Sequence, residues 1–248
     1  FVNGIPLCII ECKRPDMKEP LKQAISQTLR NQQEDGIRNL YVYSQLLLCI
    51  SSNDAVYGSN DTQPKFFAKW IEKFNSEMEE AAYKSTLKEL KNKPLSSKQT
   101  DELFTDCFKY VRNYFDELSK EEIQPTVQDE YLYSLCRPER LMDLAFNFIL
   151  YEDSIKKITR YQQFFAIKKS MQRIKHVENG KRKGGVIWHT QGSGKSLSMV
   201  FFSGKLKARA KRWRMRSKSW RSTSCGMPRL TCSASRKSSR RSSGSSAH

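Results

Sequence analysis

The sequence lacks the features that mark a membrane or secreted protein. No apolar run among its 248 residues approaches the roughly 20 residues that a membrane-spanning helix needs. The N-terminus shows no charged stretch, apolar core and small-residue cleavage site in succession, so no secretory signal is predicted. With 38% hydrophobic and 28% charged residues, the composition predicts one large or two small globular domains and excludes collagen. The first residue is Phe1 rather than Met, which predicts that the sequence is a fragment of a longer protein.

Cysteine pairs with CxxC spacing are also absent. The seven cysteines are an odd number, and most lie in apolar runs, as buried reduced thiols do. We therefore expect no disulfide framework and predict a cytoplasmic protein. The cysteines are Cys8, Cys12, Cys49, Cys107, Cys136, Cys225 and Cys232.

Acidic residues are missing from the last 44 positions of the chain. Residues 205–248 contain 14 Lys and Arg and twelve Ser, which accounts for most of the net charge of +18. Residues 1–204 hold 30 basic and 26 acidic side chains, so the rest of the protein is only mildly basic. Such a composition cannot bury enough apolar surface to offset its ordering entropy, and we predict a disordered tail at 207–248. Two origins stay open for this tail, a reading-frame artefact and a basic DNA-binding segment.

Residues 1–64 predict a small α/β domain that begins with an Asn3-Gly4 turn. Short runs of branched apolar residues indicate buried strands, and apolar residues spaced by three or four indicate a helix between them. The predicted elements are a strand at 5–12, a helix from Leu21 to near Gly36, and strands at 46–51 and 55–58.

Residues 65–155 predict a helical connector rather than a site. Helices are expected at 65–92, from about Thr100 through Phe115, and at 139–150. The first of these has an apolar inner face made of Phe67, Trp70, Ile71, Phe74, Met78 and Leu87.

Residues 156–206 predict the start of a nucleotide-binding lobe. A helix is expected at 157–177 and a buried strand at 184–189, followed by a glycine-rich segment and a helix that begins near Lys195. The backbone N–H groups of such a loop and of the helix that follows bind phosphate, while Lys195 reaches the β/γ-phosphates and Ser196 holds Mg²⁺. His189 stands where GxxxxGK[ST] has its first Gly, as helicase-type motors tolerate. The predicted nucleotide-binding residues are Thr190, Gln191, Gly192, Ser193, Gly194, Lys195 and Ser196.

Gln163 is a candidate ligand for the adenine base. It lies in an R-x-x-Q sequence about thirty residues before the glycine-rich loop, and its amide offers a paired donor and acceptor. A solvated helix glutamine is the alternative interpretation.

Glu11-Cys12-Lys13 ends the first predicted strand with a Glu-x-Lys pattern. Residues i and i+2 of a strand share a face, so the carboxylate and the ammonium project together. Glu11 and the backbone carbonyl of Cys12 can ligate Mg²⁺, while Lys13 orients or deprotonates a water and stabilises charge on a phosphate. An ordinary solvated charge pair is the alternative interpretation.

The sequence resembles the restriction (R, or HsdR-type) subunit of type I restriction-modification enzymes in the order of its motifs. These are the Glu-x-Lys strand, the connector, Gln163 and the segment Gly184-Gly185-Val186-Ile187-Trp188-His189 through Ser196. The resemblance covers residues 1 to about 204. It implies a PD-(D/E)xK nuclease-like domain, a helical connector and the start of a RecA-like, helicase-type lobe. The implied activity is ATP-dependent translocation on double-stranded DNA and Mg²⁺-dependent cleavage of it, by a type I site-specific deoxyribonuclease.

The resemblance also implies ATP and Mg²⁺ as cofactors, and DNA-methylating (M) and specificity (S) subunits as partners. Glu11 and Lys13 match the catalytic Glu-x-Lys, and Gln27 matches the glutamine of a family Q-x-x-x-Y pattern in which Asn31 here replaces the tyrosine. The family's upstream metal-binding aspartate and its acidic motor motif have no counterpart in this sequence, so we expect the chain alone to be inactive.

Two other functions are compatible with the residues. The first is a P-loop NTPase or small-molecule kinase without nuclease activity, in which Lys195 would be essential and Glu11 dispensable. The second is a non-catalytic nucleic-acid-binding protein whose affinity resides in residues 205–248.

Overall fold

The computed structural model describes residues 1–188 and 190–223, with side chains as far as residue 209. The chain divides into two compact units, Phe1–Leu206 and Lys207–His248. In the second unit the description covers 207–223, which belong to the last helix. The strands are β1 Cys8–Cys12, β2 Leu46–Ile50, β3 Ala55–Gly58, β4 Ile149–Glu152, β5 Ile155–Ile158, β6 Val177–Glu178 and β7 Lys181–Arg182. The helices are α1 Pro20–Asn31, α2 Arg38–Val42, α3 Glu77–Lys91, α4 Ser97–Leu103, α5 Arg112–Leu118, α6 Val127–Cys136, α7 Pro138–Asn147, α8 Tyr161–Arg173 and α9 Lys195–Thr223, with short 3-10 turns at Pro64–Phe66 and Lys109–Val111.

A three-stranded sheet in the order β1-β2-β3 organises the first 64 residues. β1 runs parallel to β2, with α1 as the crossover, and β2 pairs antiparallel with β3. Every residue of β2 and β3 is buried, which explains why both strands are continuous apolar runs in the sequence. The strands predicted at 46–51 and 55–58 and the Asn3-Gly4 turn are confirmed, and both turn residues have positive φ. The strand predicted at 5–12 begins only at Cys8, and its residues are partly exposed rather than buried. The predicted helix ends at Asn31 rather than near Gly36, and α2 was not predicted.

The helix predicted at 65–92 is wrong in its first half. Ser76 is the N-cap and its side chain accepts a hydrogen bond from the N–H of Glu79, so α3 begins only at Glu77. Before it, Ala68 pairs with Tyr57 as an extended segment that carries Trp70 into the core. Met78, assigned to the inner face, is 82% exposed.

The remaining connector helices are shorter than predicted. Ser96 and Gln99 form a capping box, so α4 begins at Ser97 rather than near Thr100, and it ends at Leu103 instead of continuing through Phe115. The predicted helix at 139–150 becomes α7 followed by β4, and neither α6 nor the β4–β5 hairpin was predicted.

One hydrophobic core joins all three predicted segments of the first unit. It is centred on a cluster of aromatic side chains that meet edge to face or at a tilt, with Phe164 lying 5.3 Å from Trp70 and 4.7 Å from Phe148 between ring centroids. Tyr57 of β3 and Phe201 of α9 complete the cluster. The division into domains at 1–64, 65–155 and 156–206 stays a prediction.

Two predictions near the end of the chain are wrong for the residues that the structure describes. The buried strand expected at 184–189 is irregular at 184–188, with Val186 92% and Trp188 90% exposed, while His189 lies outside the described residues. A parallel strand requires neighbours for its backbone groups, and no strand of the described chain pairs with this segment.

The tail predicted to be disordered is helical where the structure describes it, because α9 continues through Thr223. Residues 224–248, with Cys225 and Cys232, also lie outside the described residues.

Within the described ranges, no helix combines the length and apolar character needed to cross a bilayer.

Candidate functional site

Glu11 and Lys13 lie together at the end of β1. The Lys13 N–H donates to the carbonyl of Ile50, which continues the β1–β2 pairing past the strand end and fixes the backbone there. The Lys13 Nζ lies 2.8 Å from the Glu11 Oε1, and the two side chains are 15% and 17% exposed. The alternative interpretation of a fully solvated pair therefore does not describe this site.

Gln27 reaches the same site from α1. The helix packs Ala24 and Thr28 against the sheet, and Gln27 on the adjoining part of its surface accepts a hydrogen bond from Lys13 Nζ. The structure thus brings together all three residues predicted to be catalytic, although they come from two different elements.

Tyr41 of α2 is a neighbour that sequence reasoning missed. Its side chain is buried, with the Asn31 and Thr28 side chains beside it. Burial raises the pKa of Tyr41, and the nearby Glu11 carboxylate raises it further. A phenol therefore lies beside Asn31, the helix position at which the family pattern has its tyrosine. The only sequence signal was a lone tyrosine in a short apolar segment.

The donor set at this site suits a hard divalent cation. Mg²⁺ usually takes one or two protein carboxylates and keeps several waters, and Glu11 with the Cys12 carbonyl offers such oxygens. Across residues 1–188 and 190–223, no group of three His, Cys, Asp or Glu side chains forms a ready-made metal cage. A cation here would therefore take most of its ligands from substrate phosphate and water.

The glycine-rich loop precedes α9, as the sequence predicts. Gly192 and Gly194 both adopt positive φ, of 75° and 76°, which only glycine adopts readily. The Ser193 hydroxyl donates to the carbonyl of Thr190, 2.7 Å away, and closes the turn. Lys195 and Ser196 are exposed at the first turn of α9, where their side chains are accessible to a ligand.

Gln163 is buried and holds this loop. Its Nε2 donates to the carbonyls of Ser193 and Gly194, each 3.2 Å away, while its Oε1 accepts from the Arg160 N–H and the Thr159 hydroxyl. The alternative interpretation of a solvated helix glutamine is wrong, because the side chain is only 2% exposed. In this conformation the amide is committed to the loop rather than presented to a base.

A cavity of about 330 Å³ opens beside Gln163 and the loop. Its walls are largely apolar and include Phe66, Ile158 and Leu197, together with Gly192–Gly194. A mostly apolar cavity with a few convergent polar groups, next to a glycine-rich loop of the phosphate-binding kind, is typical of a site for a nucleotide base.

Hydrogen bonds connect the three-stranded sheet to the segment that includes Gln163. Tyr57 of β3 donates to the carbonyl of Thr159, 2.8 Å away, and Thr159 in turn bonds Gln163. Lys156 is buried and donates to the carbonyl of Ser44, 2.7 Å away, before β2, and this burial lowers the Lys156 pKa. The sheet that carries Glu11 is therefore fixed to the segment that holds the loop.

The two loop glycines give a matched pair of substitutions. A Cβ on Gly194 would clash with Gln163 Nε2, whereas a Cβ on Gly192 meets nothing within 4 Å. Because both have nearly the same positive φ, each alanine carries the same backbone strain of about 1–2 kcal/mol. We expect Gly194→Ala to weaken nucleotide binding at least tenfold more than Gly192→Ala, measured by titration calorimetry. Equal losses would show that contact with Gln163 does not shape the loop.

Two family models match separate segments of this chain. Residues 1–66 match the family model described as type I restriction enzyme R protein N terminus (HSDR_N). Residues 162–216 match the model of the SWI2/SNF2 ATPase. Gln163 and the glycine-rich loop both lie within the segment that the ATPase model matches.

Individual relatives agree with the two models. The chain is 33% identical over 216 residues to the type I restriction enzyme HindI endonuclease subunit of Haemophilus influenzae, which is 84% of this chain and 16% of that subunit. It is 29% identical over 210 residues to the putative type I restriction enzyme MjaIXP endonuclease subunit of Methanocaldococcus jannaschii, or 83% of this chain and 17% of the relative. The sequence is therefore homologous to the N-terminal region of type I restriction endonuclease (R) subunits, and it spans about a sixth of the length of these relatives.

Proposed function

We propose that this chain acts as part of a restriction subunit that moves along and cuts double-stranded DNA. In this proposal it works with DNA-methylating (M) and specificity (S) subunits, and uses ATP and Mg²⁺. The observation that carries the proposal is the meeting of Glu11, Lys13 and Gln27 in a domain that belongs to the R-protein family.

Phosphodiester hydrolysis is the proposed chemistry at Glu11. The carboxylate of Glu11 and the carbonyl of Cys12 would hold Mg²⁺, which polarises the phosphate and activates a water when bound. Lys13 orients that water and stabilises the charge that develops on the phosphate oxygens. Gln27 positions the Lys13 ammonium through its hydrogen bond. We assign this domain to the PD-(D/E)xK nucleases.

Nucleotide binding is the proposed role of the loop that precedes α9. The backbone N–H groups of Thr190–Gly194 would surround the phosphates, Lys195 would neutralise their charge, and Ser196 would hold Mg²⁺. Gln163 keeps the loop in position and borders the cavity proposed for the base. We assign this segment to the start of a RecA-like lobe.

The experiment that tests the nuclease assignment is the substitution Glu11→Gln in the complete restriction enzyme. We expect DNA cleavage to fall at least about a hundredfold while ATP hydrolysis persists, because the amide removes an anionic metal ligand but keeps its shape. The control is Glu152→Gln, whose exposed carboxylate pairs with Lys157 away from the site. Unchanged cleavage by the Glu11 variant would refute the nuclease assignment and favour a P-loop ATPase without nuclease activity.

A further inference from the structure

Helix α1 has two distinct faces. Ala24 and Thr28 are fully buried against the sheet, with Leu21 and Ile25 packed beside them. The opposite face is polar over its whole length. Each of its residues has another member three or four positions away, so they form a single stripe: Lys22, Gln23, Ser26, Gln27 and Arg30.

This polar stripe borders an open groove of about 640 Å³. Lys18 and Glu19, which precede the helix, and Lys13 complete its lining. Four cations thus face one carboxylate, and that carboxylate is paired with Lys22. Neither Lys18 nor Arg30 forms an ion pair with any side chain that the structure describes. The groove therefore holds an excess of positive charge.

The groove is continuous with the candidate nuclease site. Lys13 and Gln27 line the groove and also form the site with Glu11. A polyanion that lies along α1 would consequently pass beside the Glu11 carboxylate.

We propose that the α1 groove, lined by Lys18, Lys22, Gln27 and Arg30, binds the phosphodiester backbone of the DNA strand that is cut. This inference rests on the proposed nuclease function and names the surface that presents the substrate. Lys22 and Arg30 are eight residues apart, or about 12 Å along the helix axis, which matches the axial spacing of three to four phosphates of one strand.

The chemistry of the stripe favours the backbone over the bases. Ammonium, guanidinium, amide and hydroxyl groups all donate hydrogen bonds to phosphate oxygens, and the groove is lined by no aromatic side chain on which a base would stack. Contacts of this kind position a strand without reading its sequence. The groove therefore binds DNA of any sequence.

Chemical labelling of lysines tests the location directly. The intact chain is acetylated with and without a 30-base-pair duplex, in the absence of divalent cations, and the modified lysines are quantified by mass spectrometry. We expect the duplex to protect Lys18 and Lys22 at least fivefold and to leave Lys84 unchanged. Lys84 is a matched control, because it is about as exposed as Lys22 and also pairs with a glutamate three or four residues earlier in the chain.

Two outcomes of the labelling would overturn the proposal. Equal protection of Lys22 and Lys84 would show that DNA binds only through diffuse charge. Protection of Lys22 by inorganic phosphate at the same phosphate concentration, but not by the duplex, would identify a small anion pocket instead of a strand-binding groove.

Charge removal provides the second test. The groove variant, Lys22→Gln with Arg30→Gln, removes two positive charges from the groove. The control variant, Lys84→Gln with Arg112→Gln, removes two positive charges elsewhere. The basic C-terminal segment is the same in both variants, so it contributes equally to their DNA binding. Each phosphate contact contributes about 0.9 to the slope of log K against log salt, so we expect the groove variant to lose roughly two units of slope and the control none. Equal slopes would overturn the proposal.

The two proposals fail in different ways. If the groove variant binds like its control while Glu11→Gln still abolishes cleavage, the groove inference fails and the nuclease function stands. If Glu11→Gln cuts DNA normally while the groove variant loses affinity, the nuclease function fails and the groove is a DNA-binding surface only.

Discussion

Replacing Glu72 by alanine is expected to lower the free energy of unfolding by about 3–5 kcal/mol, because it leaves a buried guanidinium without its counter-ion. The Glu72 carboxylate accepts hydrogen bonds from both terminal nitrogens of Arg140, at 2.6 and 3.1 Å, and from the Trp70 indole at 2.8 Å. The side chains of Arg140 and Glu72 are only 6% and 13% exposed. Urea unfolding followed by tryptophan fluorescence measures the loss.

The surroundings of Arg140 explain why no other group compensates. Its guanidinium lies over the rings of Trp70, Phe164 and Phe165, with its central carbon 4.7 to 5.6 Å from the ring centroids. These rings attract the cation weakly and exclude the water that would otherwise solvate it.

Two further variants decide whether the buried charge is the cause. The double variant Glu72→Leu with Arg140→Met removes both charges, and we expect it to recover most of the lost stability. Glu80→Ala breaks an exposed pair with Lys84 and should cost less than about 1 kcal/mol. A Glu72→Ala protein as stable as the Glu80→Ala control would contradict the prediction.

The α/β fold of the first 64 residues is readable from sequence because each strand is a continuous apolar run. Leu46–Ile50 is bounded by turn residues and has no competing helical period. The β4–β5 hairpin carries no such run, since its strands are short and partly charged. The only signal for it is Asp153-Ser154, where both residues adopt positive φ in the turn.

Trp70 shows why periodicity misjudged the connector. Apolar residues at 67, 70, 71 and 74 have helical spacing, yet the segment is extended because Ala68 pairs with Tyr57 and the Trp70 N–H donates to the Tyr131 hydroxyl. Both partners are distant in sequence, so a local pattern cannot reveal them.

The sequence predicted most residues of the two candidate sites but only some of their contacts. Strand geometry alone places Glu11 beside Lys13, and the family resemblance supplied Gln27. Tyr41 escaped notice because it arrives from a separate short helix. Gln163 was identified from the sequence, but its contacts with Ser193 and Gly194 were not, because they depend on tertiary packing. The catalytic and binding roles of these residues stay predictions until the variants described above are measured.

Cys8 and Cys136 form a thiol pair that links β1 to the end of α6. Their sulfur atoms lie 3.9 Å apart although the residues are 128 positions apart in sequence. The hydrogen bond from Cys8 lowers the pKa of Cys136, while the same bond, together with burial, raises the pKa of Cys8. Cys136 is therefore the more readily ionised thiol of the pair and the better nucleophile toward a disulfide.

Oxidised glutathione is expected to join Cys8 to Cys136 and to stabilise the protein by about 2–4 kcal/mol, because the new link restrains a long loop of the unfolded chain. The Cys136 thiolate attacks the glutathione disulfide and releases one reduced glutathione, and the Cys8 thiol then displaces the second. Peptide mapping should find Cys8 joined to Cys136. Urea unfolding should show the higher free energy of unfolding only in the absence of reductant.

Cys136→Ser provides the control for this oxidation, since it retains the fold but cannot form the link. Cys12 and Cys107 are exposed in both proteins and remain available for glutathione, so modification at those positions reports only general reactivity. Loss of the stabilisation in Cys136→Ser, together with its reversal by reductant in the parent chain, would assign the effect to this pair. An equal increase in both proteins, or a map that joins Cys8 to another cysteine, would contradict the assignment. Because β1 ends at Glu11 and Lys13, the link would fix the strand of the candidate nuclease site to the helical connector.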